Sequence, residues 1–237
     1  MGGLAGPFAG RVVVVTGAGG GIGRALCVGF SGDDATVAGV GHRESTLAET
    51  VALCPGPMTF VRADLSRPEE CLRAMEEIIT THGRIDVLVN NAGVAGSGGF
   101  LGTPFETWIH TIELNVVGVA ACSRAVLPQM IRNESGRIIT LASRAAGAPA
   151  IGLSAYCASK AAVSALTRCL AAEISSRHPN VLINDLVPGP TKSGMAPSGQ
   201  EPAAVYPFAR DLALMPAGSA SGKVFFEGET IDLFAER

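Results

Sequence analysis

The sequence predicts an α/β fold: a doubly wound parallel sheet of about seven strands with helices on both faces. Two observations carry this expectation. Short β-branched runs alternate with amphipathic segments along the chain, and that alternation reads as right-handed βαβ units. A glycine-rich turn directly follows the first apolar run, where such a fold opens its first helix. No linker, repeat or low-complexity tract interrupts the pattern, so residues 1–237 read as a single domain.

Each element follows from local pattern. Residues 11–16 (RVVVVT) form a fully buried strand, and a helix is expected over 22–30. A second strand fits 35–41, with a helix through about residue 53, and 58–63 is a third strand. Leu72, Met75, Ile78 and Ile79 recur at helical spacing within 67–82, and 85–90 (IDVLVN) is a fourth strand. Residues 104–132 and 154–177 read as two long helices around a fifth strand at 137–142. A sixth strand fits 181–187, followed by a short Pro- and Gly-bearing loop at 188–200 that is the expected substrate loop. A short helix and a last strand near 223–226 complete the order.

Composition excludes several functions. A net charge of −3, with Lys and Arg scattered, offers no footprint for nucleic acid or an anionic membrane. The apolar runs read as too short and too interrupted to span a bilayer, and the opening lacks the form of a signal peptide. Six cysteines lie far apart without a C-x-x-C pair, so neither a disulfide framework nor a metal site is expected. A cytoplasmic protein with free thiols is the expectation.

In an open sheet the ligand sits beyond the carboxyl ends of the strands, where strand order reverses. Candidate residues fall there. Gly17, Gly19, Gly21, Ile22 and Gly23 lie between the first strand and first helix. Glycines permit a tight turn and close approach to a pyrophosphate, which the unpaired N–H groups of the helix attract. After the second strand stand His42 and Arg43, with no carboxylate until Glu44. A carboxylate would repel a 2′-phosphate whereas Arg43, with His42, pairs with one, so NADP is favoured and NAD stays possible. Asp64 and Leu65 end the third strand and are placed to accept from adenine. Asn91, Ala92 and Gly93 end the fourth and admit the adenosine ribose.

Tyr156 and Lys160 are one helical turn apart. An ammonium beside a phenol lowers the phenol pKa from about 10, which makes it a usable acid or base. Ser143, at the end of the fifth strand, is positioned to bond a substrate oxygen. Asn115 interrupts an apolar helix (ELNVVGV), where an amide competes for backbone hydrogen bonds, and reads as a local break holding a water near Lys160.

Taken together, TGAGGGIG at 16–23, Asp64, NNAG at 90–93, Asn115, Ser143, YCASK at 156–160 and Pro188-Gly189 resemble the short-chain dehydrogenase/reductase family, in its shorter single-domain Rossmann-fold branch. The resemblance runs from Arg11 to about Phe226. It implies Tyr156 as the acid/base, Lys160 on the nicotinamide ribose, Ser143 orienting substrate and Asn115 completing a proton relay. It also implies cofactor contacts at Asn91, Pro188, Gly189 and Thr191, hydride exchange with a small-molecule ketone or secondary alcohol, and a homotetramer or dimer built on the two long helices. Three departures stand out: Ser193 at a position usually Thr, the short 194–200 segment, and a tail reading Phe226-Glu227-Gly228-Glu229. The alternative is a non-catalytic sensor or scaffold that binds the dinucleotide, which the presence of Ser143, Tyr156 and Lys160 disfavours.

Overall fold

The computed structural model describes residues 5–235. Its strands are β1 (Val12–Thr16), β2 (Thr36–Gly41), β3 (Met58–Arg62), β4 (Val87–Asn90), β5 (Gly136–Leu141), β6 (Val181–Val187), β7 (Val224–Phe226) and β8 (Glu229–Ile231). They form one sheet in the order β3-β2-β1-β4-β5-β6-β7-β8. The first seven run parallel. The eighth was not expected from the sequence: Glu227 (φ 50°) and Gly228 (φ 86°) turn the chain back, and β8 pairs antiparallel with β7. Positive φ at both central residues is the geometry of a tight hairpin.

The helices are α1 (Gly21–Gly32), α2 (Glu44–Leu53), α3 (Pro68–His82), α4 (Gly99–Gly102), α5 (Phe105–Ile112), α6 (Gly118–Arg132), α7 (Ser154–Leu170) and α8 (Tyr206–Leu214). Side chains alternate across the sheet because the strand period is two. Val13 and Val15 therefore join Leu26, Phe30, Leu47 and Leu212 in a core under α1, α2 and α8. Val14 joins Met75, Ile78, Val126 and Met130 in the core under α3 and α6. Strand order reverses between β1 and β4, so the carboxyl ends of these two strands open a crevice.

Both long helices depart from plain α geometry. Residues Glu113–Val117 form a π-helical turn between α5 and α6, with the Gly118 N–H donating to the Glu113 carbonyl. Ala171–Ser175 forms a second such turn after α7. Phe105–Arg132 is thus one helical stretch of 28 residues, long and apolar enough by composition to cross a membrane, contrary to the shorter runs expected. Since 56% of its apolar window is buried inside the protein, and α6 packs on α3, it serves as a core helix.

Helix α8 is fastened to the end of α1. Tyr206 donates to Asp33 at 2.8 Å and Arg210 Nε donates to the same oxygen at 2.6 Å. Phe30 sits between Phe8 and Tyr206 in two edge-to-face contacts of 5.1 Å. Phe30→Ala is expected to cost about 3–5 kcal/mol, because a fully buried ring leaves a cavity; urea denaturation monitored by circular dichroism measures it.

Candidate active site

Thr16 closes β1, and its hydroxyl accepts from the backbone N–H groups of Asn91 (2.9 Å) and Ala92 (3.0 Å). The Asn91 amide donates back to the Thr16 carbonyl at 2.8 Å. The ends of β1 and β4 are thereby locked together. Asn91, expected to touch a cofactor, has its amide N–H engaged in this lock.

Gly17 then turns at φ 68°, a left-handed conformation costly to other residues. At Gly23 a Cβ would collide with the Gly17 carbonyl and stand 2.6 Å from Asn91 Nδ2. This close approach lets α1 begin directly behind the turn. The α1 N-terminus has no side-chain cap and no acidic residue in its first turn. Its N–H groups are free to face an anion, which is what a pyrophosphate requires. Gly19 packs on Thr46, and Ser193 lies over Gly21. Arg24 stitches the turn to α2 through Gly19 O (2.8 Å), Thr46 O (3.3 Å) and Glu49 (2.7 Å), so its charge is spent inside the protein.

A cleft of about 430 Å³ continues from this turn, lined by Gly17, Gly41, His42, Ala63, Asp64, Leu65, Ala92, Gly93, Val94, His110 and Leu114. Its size and mixed walls suit a nucleoside. Asp64 Oδ1 accepts from the Ser66 N–H (3.0 Å) and hydroxyl (2.7 Å), and the Ser66 hydroxyl foremost holds its carboxyl below the usual range. His42 borders a neighbouring hollow of about 570 Å³ whose other walls are Arg62, Asp64, Arg67, Glu70 and Arg73.

Arg43 does not line either cleft. It flanks the start of α2 with its side chain exposed. Arg62 and Arg67 stand beside His42 instead. Residues at the end of β2 are adjacent in sequence to the ribose site, whereas Arg62 and Arg67 arrive there only through β2–β3 pairing.

On the other side of the crevice, Lys160 is buried and its Nζ donates to the Leu141 carbonyl at 2.5 Å. Burial lowers its pKa to about 8, Asp185 opposing the shift. Nζ lies 5.6 Å from the Tyr156 ring centroid. The sequence argument that this ammonium depresses the phenol pKa is corrected here: burial pushes Tyr156 up, and the group pulling it down is Ser143, through a hydrogen bond. The desolvation of a phenolate outweighs the pull of that hydrogen bond. A side chain at Gly93 would approach Asn115 Oδ1 (3.1 Å) and Lys160 Nζ (3.9 Å), so the nucleoside cleft and the Tyr156–Lys160 pair adjoin.

Asn115 does sit at a break, the π-helical turn, as the sequence implied. Its side chain bonds protein groups through both amide atoms. Nδ2 donates to Val94 O (2.8 Å) and Ser159 Oγ (2.9 Å), and Oδ1 accepts from Val94 N–H (2.9 Å). Ser159 in turn donates to the Tyr156 carbonyl at 2.8 Å. Asn115 therefore ties the end of β4 to the turn of α7 that carries Tyr156. Val94, His110, Leu114 and Ser159 were missed by the sequence reading. Only Ser159, inside YCASK, lay within a motif that pointed to the site.

After β6, Gly189 turns at φ 71° and the 188–200 loop closes on itself. Thr191 bridges to Gln200 and Ser193 to Ala196, and Gln200 Nε2 donates to Pro188 O at 2.6 Å. The Thr191 hydroxyl donates to Pro188 O and Gly189 O. This small folded loop reaches over Gly21 through Ser193. Segments 95–100 and 145–153 meet through the Gly99 N–H and Gly152 carbonyl. Phe100, Leu101 and Ile151 are exposed there. Arg144 stacks 4.2 Å over Phe226 on β7.

Fold and site together define a doubly wound α/β protein with the Tyr156–Lys160 pair beside a cleft at the carboxyl ends of its strands. Comparison with known proteins agrees. The short chain dehydrogenase family model matches residues 11–203. A short chain dehydrogenase of Pseudocercospora fijiensis is 35% identical over 193 residues, covering 79% of this chain and 62% of that protein. The acetoacetyl-CoA reductase of an Acinetobacter species is 31% identical over 196 residues, covering 81% and 78%. A short-chain type dehydrogenase/reductase structure from Mycobacterium ulcerans superposes with a TM-score of 0.85 at 26% identity, covering 93% and 89%. The chain belongs to the short-chain dehydrogenase/reductase family.

Replacing Asn115 by Ala leaves the Val94 N–H and the Ser159 hydroxyl without their partner. A loss of about 1–3 kcal/mol is expected from unpaired buried groups, read as a lower midpoint in chemical denaturation, with Asn115→Asp as the closer isostere.

Proposed function

We propose that the protein catalyses reversible interconversion of a ketone and a secondary alcohol with NADP(H), Tyr156 exchanging the proton. The observation that carries this reading is the convergence of Tyr156, Ser143 and buried Lys160 at the carboxyl end of the sheet, which also bears the glycine turn. The bound nicotinamide would supply or accept the hydride. Gly17, Gly19, Gly21, Ile22 and Gly23, with the open α1 N-terminus, would hold its pyrophosphate. Asp64, Leu65, Asn91, Ala92 and Gly93 would hold the adenosine, and Pro188, Gly189 and Thr191 would border the nicotinamide.

The elevated Tyr156 pKa keeps its hydroxyl protonated, ready to donate to an alkoxide as it forms. Ser143 would orient the substrate oxygen toward that hydroxyl. Lys160, held by Leu141 O, places positive charge where a tyrosinate forms after donation. In the oxidative direction the same phenolate takes the alcohol proton back.

NADP over NAD is supported by His42, Arg62 and Arg67 around one hollow, and by the lack of a carboxylate at the end of β2. An apolar substrate is supported by exposed Phe100, Leu101 and Ile151. Exposed Phe105, Ile109 and Val117 on the α5–α6 stretch support self-association through that helix.

Tyr156→Phe is expected to lower turnover by about 10²–10⁴-fold while NADPH affinity, followed by nicotinamide fluorescence, stays near wild type. Turnover surviving in that variant would remove Tyr156 from its role. The double change Arg62→Ala with Arg67→Ala is expected to weaken NADPH binding at least about tenfold, the size of one lost charge-assisted contact. NADH binding should be spared, and Arg43→Ala should change neither.

A further inference from the structure

One buried acid has no part in the proton transfer described above. Asp185, on β6, is fully buried. Its Oδ1 accepts from the Thr167 hydroxyl at 2.7 Å. Its Oδ2 and the Ser164 hydroxyl have no hydrogen-bond partner among the described residues. Lys160, Ser164 and Thr167 are all buried and follow at i, i+4 and i+7 along α7, so they form one stripe, which Thr167 joins to Asp185. In the sheet, Asp185 pairs in register with Thr140, the residue before Leu141, whose carbonyl accepts from Lys160. The carboxylate and the ammonium therefore occupy neighbouring places between α7 and the same two strands.

We propose that Asp185 is a positioning residue for the reaction, a buried counter-charge that holds Lys160 as an ammonium against the cost of its burial. Its catalytic consequence rests on the role read for Lys160 above; the charge pairing itself is a property of the folded chain. The surroundings leave Lys160 as its counterpart. From α7, Asp185 is faced by Lys160 and Arg168 as charges and by Ser164 and Thr167 as hydroxyls. Arg168, however, donates to Ser164 O and stacks over Phe234 at 5.0 Å. β5 offers Thr140. β7 offers the apolar Val224 and, beside it, the Lys223 main-chain carbonyl, which accepts from the Asp185 N–H.

Burial raises Asp185 to about 6, with Thr167, Ser164, Lys160 and Arg168 pulling it back. Lys160, lowered by burial, titrates at about 8, and Asp185 is the group that keeps it from falling further. Between these values the two carry opposite charges. Because Lys160 titrates lower in the folded chain than its unfolded value of about 10.4, its charge destabilises the fold below pH 8. Stability is regained as pH rises from about 8 toward 10.4. Removing the Asp185 charge lowers Lys160 further and moves the start of that regain to lower pH.

The test is thermal unfolding of the full chain, without cofactor, from pH 6 to 10.5. Wild type, Asp185→Asn and Thr167→Val are each compared with the same chain carrying Lys160→Met, so that the difference isolates Lys160. The onset is expected about one pH unit lower in Asp185→Asn, and shifted less in the same direction in Thr167→Val, which frees the carboxylate from its hydrogen bond. If Asp185→Asn fails to fold, Thr167→Val decides. An onset that stays in place or rises, with only a lower melting temperature, assigns Asp185 to packing and overturns the proposal. In parallel, the alkaline loss of NADPH affinity should shift with the onset. Wild type that binds no NADPH would bring down the functional reading, while the melting curves still judge the charge pairing.

Discussion

The Lys160 ammonium lies in the interior with one hydrogen-bond acceptor, the Leu141 carbonyl, and the rest of the site is arranged around that burial. A desolvated charge is expensive unless fixed groups replace its water. Here the replacements come from the end of β5 and from Asp185 beneath it, with α7 packed across both. The same burial that strains Lys160 raises Tyr156, so the pair is poised as acid and cation rather than as phenolate and amine.

A second constraint is the crowding at the ends of β1 and β4. Thr16 accepts three short hydrogen bonds, two from Asn91 and one from Ala92, and the Gly17 carbonyl occupies the space a side chain at Gly23 would need. Rigid strand ends let the turn keep its shape without help from a ligand, and the open α1 N-terminus is aimed by that packing. Asn115 extends the clamp across to α7 through Val94 and Ser159. One continuous hydrogen-bonded path thus ties the nucleoside cleft to the residue carrying the phenol.

The strand order, the two cores and the positions of Gly17, Ser143, Tyr156 and Lys160 were all legible, because periodicity and strand-end location are local patterns. Arg43 was singled out for its nearness in sequence to the end of β2, which does not fix where a long, exposed side chain points. Arg62 and Arg67 carried no motif, and β-pairing alone brings them to His42. The eighth strand was hidden by its brevity, three residues turned by Glu227 and Gly228. The 104–132 helix was legible in its full length, but its apolar character was underestimated because glycine and polar residues interrupt the runs that the folded helix joins into one window.

The sequence by itself determined the α/β class, the glycine-rich turn and the residue proposed as the acid, since each depends on residue type within a short window. Tertiary structure alone decided that Lys160 is desolvated, that burial raises Tyr156, that Asn115 is a clamp and that Asp185 is buried against Thr167 on the α7 stripe that carries Lys160. Those outcomes depend on dielectric surroundings and on contacts between residues far apart in the chain, such as Thr167 with Asp185 and Lys160 with Leu141. Electrostatic balance is a sum over neighbours in space, and only folding chooses the neighbours.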